Sequence, residues 1–260
     1  MKERNGTAML QLIINADDLG LTPGCNAGIL QALTEGIVTD TTLMINTEFT
    51  DDAVKGLKAR GINRVGLHLN LTCGTPLLPA AEVPSLVDDA GRFNRKIAVA
   101  APNMRQAEVE RELGAQVEKF LGTGLGLTHL DSHHHAHSYP GIREAAIGLA
   151  RKLGVPLRQT GEELRQQIVA AGVASTDFFA VNFYEQGVSL ENLQAIIAGH
   201  RQGTLEIMCH PAVPEELIYR ISSYNSWRER ELALLTSREM TDFLKEKGVR
   251  LIGFDALPRD

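Results

Sequence analysis

The chain has 260 residues, 43% of them hydrophobic, and a formal charge of −6 from 26 basic and 32 acidic side chains. That length and apolar content fit one large α/β domain over residues 1–260 better than two small ones. A mildly acidic chain with no basic arm is a poor partner for nucleic acid, and the polar start (residues 1–6), with no long apolar run after it, argues against a signal peptide or membrane span.

Residues 11–16 are a short, isoleucine-containing apolar run that reads as a buried parallel strand ending at Asp17 and Asp18. A turn-rich loop over 19–24 leads to a helix over 26–35, with Ala27, Leu30 and Leu33 at helical spacing and Gly36 as its stop. The second strand is 41–46, and Thr50, Asp51 and Asp52 open the next helix with acids in its first turn. Strand three spans 64–71. Residues 72–102 then lack periodicity and are long for a connection, the mark of a lid or binding loop.

A helix over 104–121 carries an apolar stripe of Leu113, Val117, Phe120 and Leu121. Strand four, 125–130, runs into a histidine-rich motif. Beyond Pro140 and Gly141 comes a helix ended by Gly154, a short strand at 155–158, a helix at 162–171, a strand at 178–182 and a helix at 189–199. Residues 205–210 form another strand. The capping-box pattern at Ser226 and Glu229 opens one helix running to about residue 246, and 250–254 closes the chain as a strand. The alternation predicts an irregular or incomplete (β/α) barrel. A doubly wound sheet is the alternative, weakened by the lack of a Gly-rich phosphate loop after strand one.

Five of the eight histidines, His129, His133, His134, His135 and His137, fall within residues 128–137, together with Asp131. Imidazole and carboxylate are ligands for Zn, Mn, Fe or Mg, so a metal site is the first hypothesis. Partners exist elsewhere. Asp17 and Asp18, His68, Asp131 with His133, and His210 all fall at strand ends, which converge on one face of a parallel barrel. Two histidines and a carboxylate leave open positions for water and substrate, and an ion there acidifies its water and polarises a carbonyl. A nearby carboxylate takes the proton, and a histidine opposite serves the leaving group.

Asp17 and Asp18 point to opposite faces if the strand persists, and a tight turn before Gly20 would bring both inward, suiting one ligand and one base. Asp131 is placed to orient an imidazole. Odd positions from 129 to 137 share a face in extended chain, whereas His129 and His133 share one in a helix. Tyr139 follows the cluster as a pocket candidate, and residues 219–227, with the lone tryptophan Trp227, are a candidate pocket wall. Cys25, Cys73 and Cys209 form no CxxC pair, which fits packing residues in a reduced, cytoplasmic setting.

The segments at residues 15–20, 36–42, 66–72, 128–135 and 208–211 resemble, in order, the motifs of the YdjC-like carbohydrate deacetylases, a family that includes the chitooligosaccharide deacetylase of chitobiose catabolism. The resemblance implies a deformed (β/α) barrel and removal of N-acetyl groups from sugars with a divalent metal, usually magnesium. It implies Asp18, His68 and His133 as metal ligands, Asp17 as general base and His210 as acid, the division of the aspartate pair being borrowed from related polysaccharide deacetylases. Zinc also suits a two-histidine site. The implied partner is a small N-acetylated sugar, and dimers occur in the family. Leu19 replaces the usual phenylalanine, and Asn70 stands where the chitooligosaccharide enzyme has a bulkier apolar residue; both are expected near the pocket, with His129, Asp131 and Tyr139 as supporting or lining residues. Two other readings share these residues: a metallohydrolase of a different amide or ester, and a non-catalytic sugar- or metal-binding protein.

Overall fold

The computed structural model describes residues 9–257; the polar residues 1–6 discussed above lie outside them. Seven strands form one sheet: β1 (Leu10–Leu19), β2 (Asp40–Leu43), β3 (Arg64–Leu69), β4 (Gly126–Ser132), β5 (Phe178–Ala180), β6 (Gly203–Cys209) and β7 (Arg250–Leu251). Their order is β4-β3-β2-β1-β6-β5, β7 adds to the start of β1, and every pairing is parallel. Between the strands lie α1 (Pro23–Glu35), α2 (Thr50–Ala59), α3 (Ile97–Ala100), α4 (Gln106–Gly122), α5 (Ile142–Leu153), α6 (Glu162–Ala170), α7 (Leu190–Ala198), α8 (Glu216–Ile221), α9 (Ser226–Leu235) and α10 (Arg238–Lys247). No helix among the described residues is long and apolar enough to cross a membrane.

The barrel does not close. The strand expected at 155–158 makes only one parallel bridge, Leu157 to Leu130, and the Leu157 N–H donates to the Ala174 carbonyl at 3.0 Å. An irregular segment thus fills the gap between β4 and β5. The single helix expected from 226 to 246 is two. The Leu235 carbonyl, needed to continue α9, instead accepts the Ile37 N–H at 3.0 Å, and Ser237 caps α10 by accepting from Met240 N–H. Asn225 rather than Ser226 caps α9.

The strands are buried on both faces, which is why they read as apolar runs rather than alternations. Leu12, Ile14, Leu67, Leu69, Leu205 and Ile207 belong to the main core, whereas Ile13, Ile252, Phe254 and Leu257 form a separate plug. His129 stacks on Phe254 with ring centroids 3.7 Å apart. A side chain at Gly66 would land 2.5 Å from that imidazole, so glycine in mid-strand makes room for His129.

The long connection over 72–102 is not a free lid. One face of α4 carries Glu108, Glu112 and Gln116, all buried. Gln116 clamps both the N–H and the carbonyl of Asn70 at 2.9 and 2.7 Å, Glu112 accepts from the N–H groups of Leu77 and Leu78 at 3.0–3.1 Å, and Glu108 accepts from Ser85 at 2.7 Å. Glu112→Ala strands two backbone donors and is expected to cost about 3 kcal/mol, or a Tm drop of roughly 5–12 °C. Thermal unfolding checks this, and an unchanged Tm contradicts it.

Candidate active site

β1 remains extended through Asp17, but Asp18 sits at φ 71 and the register with β2 shifts between Ala16 and Leu19. In a regular strand neighbouring side chains face opposite ways; this bulge turns both carboxylates inward. Aspartate tolerates the left-handed region better than most residues, at a cost of about 1 kcal/mol. At the end of β4 the chain does the same after His133: His134 and His135 lie at φ 55 and 51. Neither an extended run nor a regular helix therefore carries the histidine motif, and its rings diverge.

Three of them leave the chemistry. His129 is wholly buried in the barrel floor, its Nδ1 2.9 Å from the Thr128 hydroxyl, and burial pushes it down to about 3. His137 is also buried; its Nε2–H donates to the Arg158 carbonyl at 3.1 Å. His134 lines the cavity but spends its Nδ1 on the Thr72 hydroxyl at 3.0 Å. His133 turns toward Asp18, and His135 lines the cavity beside it.

Asp18 Oδ1 lies 2.9 Å from His133 Nδ1 and 3.5 Å from His68 Nε2, and these three atoms fall within 4.8 Å of one another. The contacts are not angled as hydrogen bonds: Asp18 Oδ1 is buried with no hydrogen-bond partner among the described residues. A buried carboxylate oxygen facing two imidazole nitrogens without bonding either is the geometry of donors aimed at a common point, and this set fits a divalent cation. Asp18 Oδ2 is taken by Arg228 at 2.7 Å. Burial pushes the Asp18 carboxyl up, but Arg228 and His133 outweigh it and hold the group well below the usual carboxylate range.

Asp131 does orient an imidazole, that of His68 across the sheet: its Oδ1 lies 2.8 Å from His68 Nδ1, which directs Nε2 toward Asp18. Thr42 donates to Asp131 Oδ2 at 3.0 Å. Burial works against charge on His68, yet the Asp131 and Asp18 carboxylates raise it to about 10. A field that holds a proton that firmly also favours a metal cation in its place. A second grouping, Asp17, His68 and Asp131, is equally close. Its donors are already spent, His68 Nδ1 on Asp131 and Asp17 on an arginine.

That arginine, Arg158, is the residue the sequence reading missed. It is fully buried, and its guanidinium forks onto Asp17 with Nη1–Oδ2 and Nη2–Oδ1 distances of 2.6 and 2.7 Å. Asn15 Nδ2 adds a third bond to Asp17 at 2.7 Å. Burial is the largest influence and raises the Asp17 carboxyl, but the charge and hydrogen bonds of Arg158 together with the His68 charge hold it below its ordinary value, so Asp17 stays ionised. The one signal available was a charged residue at the end of the short apolar run 155–158. His210 Nε2 is 4.0 Å from Asp17 Oδ2, and burial pushes that imidazole down to about 4, so it is neutral at rest. Glu231 accepts from both the His210 N–H and the Tyr224 hydroxyl.

Asp17, Asp18, His68, His133 and His210 line one cavity of about 520 Å³, whose wall includes Tyr184 and Tyr224, stacked 4.1 Å apart. Of residues 219–227, Ser222, Ser223 and Tyr224 line the cavity, whereas Trp227 packs on the core. Tyr139 does likewise. Asn70 is buried in its own turn, donating to Asn46 and the Cys73 carbonyl and accepting from Thr72 and Cys73 N–H groups, so it does not line the cavity.

The model of the family described as YdjC-like protein matches residues 11–246, which include every residue of this site. The chain belongs to the YdjC-like family. This YdjC-like protein is 34% identical over 249 residues to a carbohydrate deacetylase of Thermoanaerobacter pseudethanolicus, covering 96% of its own chain and all of that protein. It is 38% identical over 256 residues to a carbohydrate deacetylase of Brevibacillus brevis, covering 95% and all of the two chains. Among solved structures, a candidate cellobiose-phosphate cleavage protein of Enterococcus faecalis V583 superposes with a TM-score of 0.91 at 32% identity, over 96% of this chain and 99% of that one. Leu19 and Asn70, the two departures from the family pattern, are both fully buried or nearly so and off the cavity wall. They shape the turns beneath the site and not its surface.

Proposed function

We propose that this chain is a metal-dependent hydrolase that removes an N-acetyl group from a small amino sugar, with chitooligosaccharide-like compounds as the first substrates to try. The observation that carries the reading is the separation of duties between adjacent aspartates. Asp18 keeps a free oxygen among two imidazoles, while Asp17, one residue away, is held ionised by Arg158 and owes nothing to that group. The names of the relatives supply the substrate class.

Asp18, His68 and His133 would hold the divalent ion, magnesium by family and zinc by ligand type. When bound, the ion would polarise the acyl oxygen and acidify a water. Asp17 removes a proton from the attacking water. His210 Nε2 lies 4.0 Å from Asp17 Oδ2, so it can collect that proton and deliver it to the leaving amine. The Tyr184–Tyr224 wall offers an aromatic surface beside the reacting groups for a sugar ring.

Acetate release from diacetylchitobiose by chelator-treated protein is expected to return on adding Mg2+ or Zn2+, by at least about 100-fold. Absence of release from any N-acetylated sugar, alongside metal-dependent hydrolysis of another amide or ester, overturns the substrate assignment.

A further inference from the structure

Arg158 is held along its whole guanidinium. Two nitrogens meet Asp17, Nη1 also meets Asp131 Oδ2 at 2.8 Å, and Nε donates to Glu206 Oε1 at 2.6 Å. Glu206 lies on β6, in register with Ile13 of β1, and is fully buried. Its other oxygen, Oε2, has no hydrogen-bond partner among the described residues. The reaction derived above does not use it.

Charge balance does not explain this residue. Asp17 and Asp131 already outnumber the single charge of Arg158, and a further buried carboxylate is costly. What Glu206 supplies is orientation. A guanidinium is planar and its donors form a rigid fork, so bonding the Nε edge from below fixes the plane in which the two Nη groups face Asp17. We propose that Glu206 is a positioning residue that sets the Arg158 fork and, through it, the place of the Asp17 carboxylate. This rests on the reading of Asp17 as the base. Burial raises the Glu206 carboxyl to about 8, so glutamine is a close substitute for the form present at neutral pH: one oxygen still accepts from Nε.

The test compares Glu206→Leu, Glu206→Asp and Glu206→Gln in the full chain with metal supplied. Leu removes the acceptor and Asp is too short to reach Nε. Both are expected to lower kcat by roughly 10–100-fold, with KM and metal affinity within about two-fold, as Arg158 loosens from Asp17. Gln is expected to restore kcat to within about three-fold. Gln as impaired as Leu, or a folded Leu or Asp variant with undiminished kcat, overturns the proposal. So does a crystal structure of the Leu variant with the fork still seated on Asp17, a readout independent of turnover. Failure of the wild-type protein to release acetate from N-acetyl sugars sinks the assignment of function instead.

Discussion

Asp17→Asn lowers kcat by about 1,000-fold and leaves metal affinity within about three-fold. The two halves of this expectation matter together. Asparagine keeps the shape of the side chain, and its Oδ1 still accepts from Arg158, so the fold of the bulge should survive. It has no basic oxygen, so a proton taken from water has nowhere to go. The ion, by contrast, would be held by Asp18, His68 and His133, none of which is hydrogen-bonded to Asp17. Steady-state kinetics and metal titration of the same sample separate the effects. Loss of metal binding in Asp17→Asn would mean that the roles of the two aspartates are exchanged.

Arg158→Leu attacks stability and activity at once. It leaves Asp17 and Asp131 facing each other in a dry interior without the guanidinium that both contact at 2.6–2.8 Å. Breaking a buried pair by deleting one partner costs about 3–5 kcal/mol. In the intact protein both carboxyls are held below their ordinary value by Arg158 and, for Asp131, first by His68. Groups with depressed values stabilise the fold above the unfolded-state pKa and lose that contribution as the pH falls below it. In the variant burial dominates and the sign reverses for Asp17. The Tm gap between wild type and variant is therefore widest near neutral pH and narrows toward about pH 4. A gap that stays constant over that range contradicts the account.

Much of this was legible in the residue order. Apolar runs ended by Asp17 and Asp18, His68, Asp131 and His210 gave both the parallel strands and the face on which their ends meet. The two-histidine, one-carboxylate grouping followed from ligand chemistry and a family resemblance. The unreadable parts have physical causes. Arg158 bonds Asp17, 141 positions away, and nothing local distinguishes a buried arginine from a solvated one. The left-handed backbone at Asp18, His134 and His135 departs from what those residues usually adopt, and it decides which side chains enter the cavity. Residues 72–102 read as a lid because their hydrogen-bond partners, Glu108 and Glu112, sit on the following helix, whose polar face reads as solvent-exposed. Asn70 and Tyr139 sit close in sequence to cavity-lining residues but do not line the cavity themselves.

Asp18, His68 and His133, and not Asp17, are proposed to gather one divalent cation at the strand ends. Anomalous diffraction from crystals grown with Mn2+ or Zn2+ tests it most directly. A single strong peak is expected within bonding distance of Asp18 Oδ1, His68 Nε2 and His133 Nδ1, with Asp17 still seated on Arg158. A peak ligated by Asp17, or one that leaves His68 out, would contradict it.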